Sequence, residues 1–258
     1  MQFGMVIDLQ RCVGCGACAF ACKAENTTRD RDEEDGQSYN WADFVMKTEG
    51  TFPNTTHWVM PVLCNHCSEA ACVEVCPVKP NKAMYKTPEG ITMHDPSLCI
   101  GCRECQTACP YSEEELDEAS LKGETYSVIS FNGRYKPLHP KWEDNTPLIA
   151  GVTASGAETA KKAGVPVPAM NAFESKDVGP LRKKRIVEKC TFCAHRTLNG
   201  LQPACVEVCP SQARIFGDLD DANSGVAKIL AAKKTFVLKP EKGTRPNVYY
   251  VGKYSARS

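Results

Sequence analysis

Apolar residues in this 258-residue chain fall in short, separated runs. The stretch KAMYKTPEGITMH, residues 82–94, alternates about a Pro-Glu-Gly turn and predicts a β-hairpin. Tyr126-Ser127-Val128-Ile129-Ser130-Phe131 predicts one further strand, and Asn247-Val248-Tyr249-Tyr250-Val251 another. Val226, Ile229 and Leu230 share one helix face, and a short helix fits residues 157–163. ACKAENTT contains good helix formers, which places Cys22 inside a helix already running. No run approaches the roughly 18 apolar residues of a membrane span, so no direct span is expected.

Between these elements lies a long stretch, residues 112–189, rich in Gly, Pro, Ala and charge, as in GVTASGAETAKKAGVPVPAMNAFESKDVGP. So much weak structure in a compact domain points to a surface that docks a partner or wraps the chain's own modules. Thirty-one basic and thirty-one acidic residues balance, which argues against a general nucleic-acid binder. The basic run Arg182-Lys183-Lys184-Arg185 either offsets charge near Cys190, docks an acidic surface or is simply solvated. The acidic runs at 30–35 and 113–115 read as solvated loops.

Cysteine changes the picture. Sixteen occur, in four groups of four: Cys12, Cys15, Cys18, Cys22; Cys64, Cys67, Cys72, Cys76; Cys99, Cys102, Cys105, Cys109; and Cys190, Cys193, Cys205, Cys209. Disulfides require an exporting context, and MQFGMVIDLQRC shows no basic n-region, apolar stretch or twin arginine. Zinc takes paired C-x-x-C knuckles. CVGCGACAFAC and CIGCRECQTACP instead carry the C-x2-C-x2-C-x3-C run of bacterial ferredoxins, in which three thiolates hold one 4Fe-4S cubane and the fourth ligates its neighbour.

The remaining groups, CNHCSEAACVEVCP and CTFCAHRTLNGLQPACVEVCP, share their opening and their ACVEVCP ending. Groups one and three match each other, each with an aspartate four residues ahead, Asp8 and Asp95. Four groups therefore make two ferredoxin modules and four clusters. Pro77, Pro110 and Pro210 each follow a last cysteine and suit the first turn of a following helix. Only 21 residues part groups two and three, so these pair, and groups one and four meet across the rest of the chain. The expected organisation is a first module of residues 1–57 with 181–218, a second of 58–111, an insertion at 112–180, and a C-terminal extension at 219–258.

Crossed ligation follows as a hypothesis: Cys12, Cys15 and Cys18 with Cys209; Cys190, Cys193 and Cys205 with Cys22; Cys64, Cys67 and Cys72 with Cys109; Cys99, Cys102 and Cys105 with Cys76. His66 and His195 sit beside ligands, where an N–H either bonds a cluster sulfur or faces backbone or solvent. No Ser-His-Asp order or phosphate-binding glycine loop is present, so no catalytic residue is assigned.

With LCNHC, EKCTFC, PACVEVCPSQARIFGDLDD and LKPEKGTRPNVYYV, the sixteen cysteines resemble the four-cluster electron-transfer subunit of molybdopterin oxidoreductases related to dimethyl sulfoxide reductase. GMVIDLQRCVGCGACAFACKAEN and TEGTFP are most similar to the respiratory arsenate reductase small subunit, while tetrathionate, polysulfide and thiosulfate reductase small subunits share much of the pattern. SEEELDEASLKGE after Pro110 departs from it, on the surface where partner identity would be read.

The resemblance implies an α+β fold: two ferredoxin-like modules related by pseudo-twofold symmetry, with long loop insertions and the crossed ligation. It implies a non-catalytic subunit whose line of four 4Fe-4S clusters joins a molybdenum or tungsten catalytic subunit to a quinone-linked membrane subunit, a cytochrome or another carrier. Substrate chemistry then belongs to the partner's cofactor. It also implies a periplasmic position, reached by co-export with a catalytic partner bearing the twin-arginine signal, with a cytoplasmic assembly as the alternative. A free soluble polyferredoxin and a zinc-stabilised structural or nucleic-acid module are the competing classes.

Overall fold

A computed structural model describes residues 1–26, 28, 40–112, 114–116, 119–132, 147, 149–164 and 185–253. The acidic run at 30–35, Glu113, residues 182–184 of the basic run and much of the expected insertion lie outside the described residues.

In chain order the elements are β1 (Phe3–Asp8), α1 (Ala17–Asn26), β2 (Ala42–Thr51), β3 (Asn54–Leu63), α2 (Ala71–Glu74), β4 (Met84–Lys86), β5 (Thr92–His94) and α3 (Glu104–Ala108). There follow β6 (Glu114–Glu115), β7 (Thr125–Tyr126), β8 (Ile129–Phe131), α4 (Gly156–Ala163), β9 (Val187–Lys189), α5 (Ala194–Thr197), α6 (Ala204–Glu207), β10 (Arg214–Asp218), α7 (Gly225–Ala232), β11 (Thr235–Phe236) and β12 (Val248–Val251).

The largest sheet has the order β10-β1-β12-β11. β1 lies inside it, antiparallel to β10 with Met5 opposite Phe216 and parallel to β12 with Met5 opposite Val248. Both neighbours and both faces are covered, which is why FGMVID is almost uniformly buried rather than alternating. α7 closes one face: Val6, Val226 and Val251 form a small core with Ile229 and Leu230 packed on it. Ser224 caps that helix, its hydroxyl accepting from Ala227 N at 3.1 Å.

The 82–94 hairpin forms as β4 and β5, closed by Gly90 N donating to Thr87 O at 3.0 Å. The expected helix near 157–163 is α4, held by a capping box in which Ser155 and Glu158 bond each other's backbone N–H groups. The strand at 126–131 is broken. Tyr126 pairs back to Glu114 in β6, while Ile129–Phe131 pairs with β9, so Ser127 and Val128 turn the chain from one partner to the other.

The proline expectation also requires correction. No helix starts after Pro77, Pro110 or Pro210; each proline follows a short helix that has just ended, α2, α3 or α6. A ring without an N–H cannot continue the hydrogen-bond ladder, so here it serves as a stop. The long hairpin β2–β3, with Val45 opposite Met60, has no counterpart among the predicted elements.

Candidate cluster-binding site

The cysteine groups share one local construction. Cys12 N donates to Asp8 O at 3.1 Å, and Cys99 N to Asp95 O at 3.2 Å. Each aspartate also takes an N–H two residues on, Gln10 at 3.1 Å and Ser97 at 2.7 Å. An Asx turn thus ends the incoming strand and starts each thiol loop, which gives the recurring aspartate a mechanical reason. Cys18 and Cys22 lie on α1, Cys72 on α2, Cys105 on α3 and Cys205 on α6.

Two helix contacts bring distant groups together: α1 packs against α6, and α2 against α3. Cys12, Cys15, Cys18 and Cys209 line one cavity, and Cys64, Cys67, Cys72 and Cys109 line another. Cys22 lies among Cys190, Cys193 and Cys205, and Asn26 Nδ2 reaches the sulfurs of Cys22 at 3.6 Å and Cys193 at 3.7 Å. Cys76 lies beside Cys99 and Cys105, and Cys102 adjoins the same two.

The four gatherings form a row. Cys205 faces Cys18 of the first cavity, Cys190 faces Cys64 of the second, and Cys105 faces Cys72. The row therefore begins at the Cys12 gathering, passes through those of Cys190 and Cys64, and ends at that of Cys99. Exposed thiols occur only in the two end gatherings, at Cys15 and Cys102.

Burial dominates the thiol chemistry. It pushes Cys67 up to about 11, and Cys72, Cys105 and Cys205 to about 12, with neighbouring thiols adding to each. Cys22 and Cys190, the most enclosed, are driven well above the ordinary thiol value by burial and then by adjacent thiols. Cys209 goes the other way: burial would raise it, but N–H groups of Arg214, Ala213 and Ser211 outweigh that. The raised, enclosed thiols favour ionisation around a strongly cationic centre such as iron.

The surroundings fit an anionic, sulfur-rich group. Ala213 N points at Cys209 Sγ at 3.2 Å and Phe192 N at Cys190 Sγ at 3.4 Å. Buried donors beside the thiols, His66 Nε2, Asn65 Nδ2 and Arg214 Nη2, have no protein acceptor among the described residues. Buried donors are rarely left so, and cluster sulfurs are suitable acceptors. Among the described residues no group of three or more His, Cys, Asp or Glu side chains converges on a single-ion site; four thiols ring a space instead.

His66 is fully buried and accepts from Thr92 N at 3.2 Å through Nδ1, which leaves its proton on Nε2. His195 is buried with Nε2 2.8 Å from Glu25 Oε1, and Arg196 shares that glutamate at 3.2 Å.

Such a row of thiol rings on ferredoxin-like turns defines a carrier of iron-sulfur clusters. Comparison with known proteins agrees: residues 55–125 and 178–219 match the 4Fe-4S dicluster domain, and residues 3–24 the 4Fe-4S binding domain. The chain is 42% identical to the arsenate respiratory reductase iron-sulfur subunit of Shewanella sp. strain ANA-3, over 100% of this chain and 99% of that one. It is 35% identical to a selenate reductase subunit of Mesobacillus selenatarsenatis and 32% to a tetrathionate reductase subunit of Salmonella typhimurium, each over 97% of this chain and 72% of the relative. The chain belongs to the family of 4Fe-4S electron-transfer subunits of the molybdopterin oxidoreductases. Among the described residues no helix is long and apolar enough to cross a membrane.

Proposed function

We propose that this chain carries four 4Fe-4S clusters and conducts electrons between a quinone-linked donor or cytochrome and the molybdenum or tungsten catalytic subunit of a respiratory arsenate reductase. Identity of 42% to the arsenate enzyme's iron-sulfur subunit, running the whole length of both chains, is the observation that carries this reading. Selenate and tetrathionate relatives are less similar and cover less of their own length.

The ligand sets are Cys12, Cys15, Cys18 and Cys209; Cys190, Cys193, Cys205 and Cys22; Cys64, Cys67, Cys72 and Cys109; and Cys99, Cys102, Cys105 and Cys76. The thiol neighbours given above support each set. Residues 1–57 with 181–218 make one module and 58–111 the other, related by a pseudo-twofold axis. β3 runs across their boundary, so the β2–β3 hairpin ties the modules together. Residues 112–180 dock a partner, and from the C-terminal extension, 219–258, the strands β11 and β12 complete the sheet around β1.

Each cluster, when bound, takes and gives one electron. The chain's residues hold the row in order, exclude water from its two inner members and open it at Cys15 and Cys102, where partners approach. The complex resides in the periplasm, carried there with its catalytic partner.

The test is to purify the native complex without oxygen and measure iron, acid-labile sulfide, molybdenum and tungsten across one size-exclusion peak. About sixteen irons per chain, coeluting with molybdenum or tungsten, a second large polypeptide and arsenate reduction, is the expected result. The same iron in a lone small peak makes the protein a free polyferredoxin, and zinc with little sulfide overturns both.

A further inference from the structure

Among the described residues, three lysine or arginine side chains are buried in the fold: Lys189, Arg214 and Lys239. Lys239 has a carboxylate, Glu114 Oε2, at 3.0 Å. Neither of the others forms a salt bridge among the described residues, although an unpaired buried charge is strongly unfavourable. Both lie where thiol rings meet.

Arg214 is 3% exposed and lines the cavity of Cys12, Cys15, Cys18 and Cys209. Its Nη1 reaches Cys205 Sγ of the next ring at 4.0 Å and Met5 Sδ at 3.9 Å, and its Nη2 has no partner. Lys189 is 1% exposed and lines the cavity of Cys64, Cys67, Cys72 and Cys109, while the next residue is Cys190 of the ring before it. Its ammonium donates to Cys190 O at 2.8 Å and to Thr92 O, which uses two of three protons. No other buried, carboxylate-free lysine or arginine occurs among the described residues, including where Cys72 meets Cys105.

We infer that Arg214 and Lys189 are internal counter-ions, each shared by two adjacent clusters, which raise the reduction potentials of the three clusters from Cys12 to Cys64 and leave that at Cys99 without one. This rests on the four-cluster reading above. A cube held by four thiolates is anionic, and one further electron makes it more so; a fixed cation nearby favours the reduced form and raises the potential. Both residues act through their field on the clusters and touch no substrate. Arginine suits the first position because its charge is permanent and its fork spans two sulfur sets.

The intact complex carrying Arg214→Gln or Lys189→Gln would be purified, its iron and sulfide measured, and each cluster's signal followed by electron paramagnetic resonance in a redox titration. With iron content unchanged, Arg214→Gln lowers the midpoints of the clusters at Cys12 and Cys190. Lys189→Gln lowers those at Cys190 and Cys64, so only the Cys190 cluster moves in both. The expected size is at least a tenfold change in the oxidised-to-reduced ratio at fixed potential, about 59 mV for one electron.

Arg214→Lys and Lys189→Arg keep the wild-type pattern. Loaded glutamine variants whose four midpoints stay put, or shift together, overturn the proposal. If the glutamine variants fail to load, success of the charge-preserving pair upholds it, whereas failure of that pair too shows a packing role and overturns it. Absence of clusters from the wild-type complex would instead defeat the functional reading, a result distinct from either.

Discussion

The imidazole of His66 stacks on the ring of Phe192, centroids 3.6 Å apart and planes 22° from parallel. The two residues occupy the same place in different groups, the third position of C-x-x-C, and both have left-handed backbones, with φ of 45° and 51°. In groups one and three that position is Gly14 or Gly101, at 69° and 73°. One turn is thus made four times. Glycine fills it where a side chain would strike Val59 or the carbonyl of Arg185. Where the second and fourth groups face each other, two aromatic rings fill the seam and offset the strain by stacking.

Replacing Phe192 by alanine removes the stack and a buried side chain, and should cost about 3–5 kcal/mol. Glycine in its place loses even more side chain, yet suits the left-handed backbone. Phe192→Gly should therefore be more stable than Phe192→Ala by about 1 kcal/mol. Denaturant midpoints of the two variants decide this, and an alanine variant as stable as the glycine one would mean that no strain is held there.

Gly101→Ala places a Cβ against the Arg185 carbonyl oxygen at a positive φ, which should cost at least about 2 kcal/mol and loosen the Cys99 loop. Gly123, also at positive φ but with nothing within 4 Å, is the comparison: alanine there pays only the backbone penalty, about 1–2 kcal/mol. Thermal unfolding with iron content measures both, and equal losses would show that the Arg185 contact carries no weight.

What the sequence makes legible is local. The recurring Asp8 and Asp95 and the Gly90 hairpin depend on neighbours a few residues away, so their signals survive in one dimension. Cys22 lies in α1 as its helix-forming neighbours predict. The β2–β3 hairpin is hidden because its outer half, exposed and threonine-rich, carries no apolar alternation. The 126–131 run reads as one strand because β propensity does not say with which partner each half pairs. The neighbours of His195 in the chain offer it cluster, backbone or solvent, but its partner Glu25 lies 170 residues away. Arg214 and Lys189 look like ordinary polar residues of β10 and β9, and only the assembled seams show them as buried cations.

Burial holds His94 down to about 4, Lys189 adds to the effect and Asp95 opposes it. Below the ordinary value of 6.5 the unfolded chain takes up a proton that the folded chain refuses, so stability falls as pH falls, until His94 itself protonates near 4. The whole effect is roughly 3 kcal/mol, and about 1 kcal/mol of it lies between pH 7.5 and 5.5. Comparing unfolding of the wild type with His94→Asn at those two pH values cancels the acid sensitivity of the clusters, which both share. The wild type should lose about 1 kcal/mol relative to the variant on acidification; a constant difference would mean that His94 takes up its proton at the same pH in the folded chain as in the unfolded one.

Crossed ligation makes the sharpest demand on the cysteines. Cys209 is far in sequence from group one and belongs to the same run as Cys190, Cys193 and Cys205, yet it shares a cavity with Cys12, Cys15 and Cys18. Its thiol is also poised differently from the rest of its run, held low by N–H groups of Arg214, Ala213 and Ser211 against the upward push of burial. Serine at 209 keeps the shape of the side chain but is a poor iron ligand, so the cluster at Cys12 should lose an iron or change its signal while the cluster at Cys190 stays as it was. Cys22→Ser should do the reverse. Iron content and low-temperature electron paramagnetic resonance of the two variants, each in the intact complex, read this directly. A Cys209→Ser spectrum altered at the Cys190 cluster would mean that each run keeps its own fourth ligand, and that the packing of α1 on α6 brings the clusters near without exchanging their ligands.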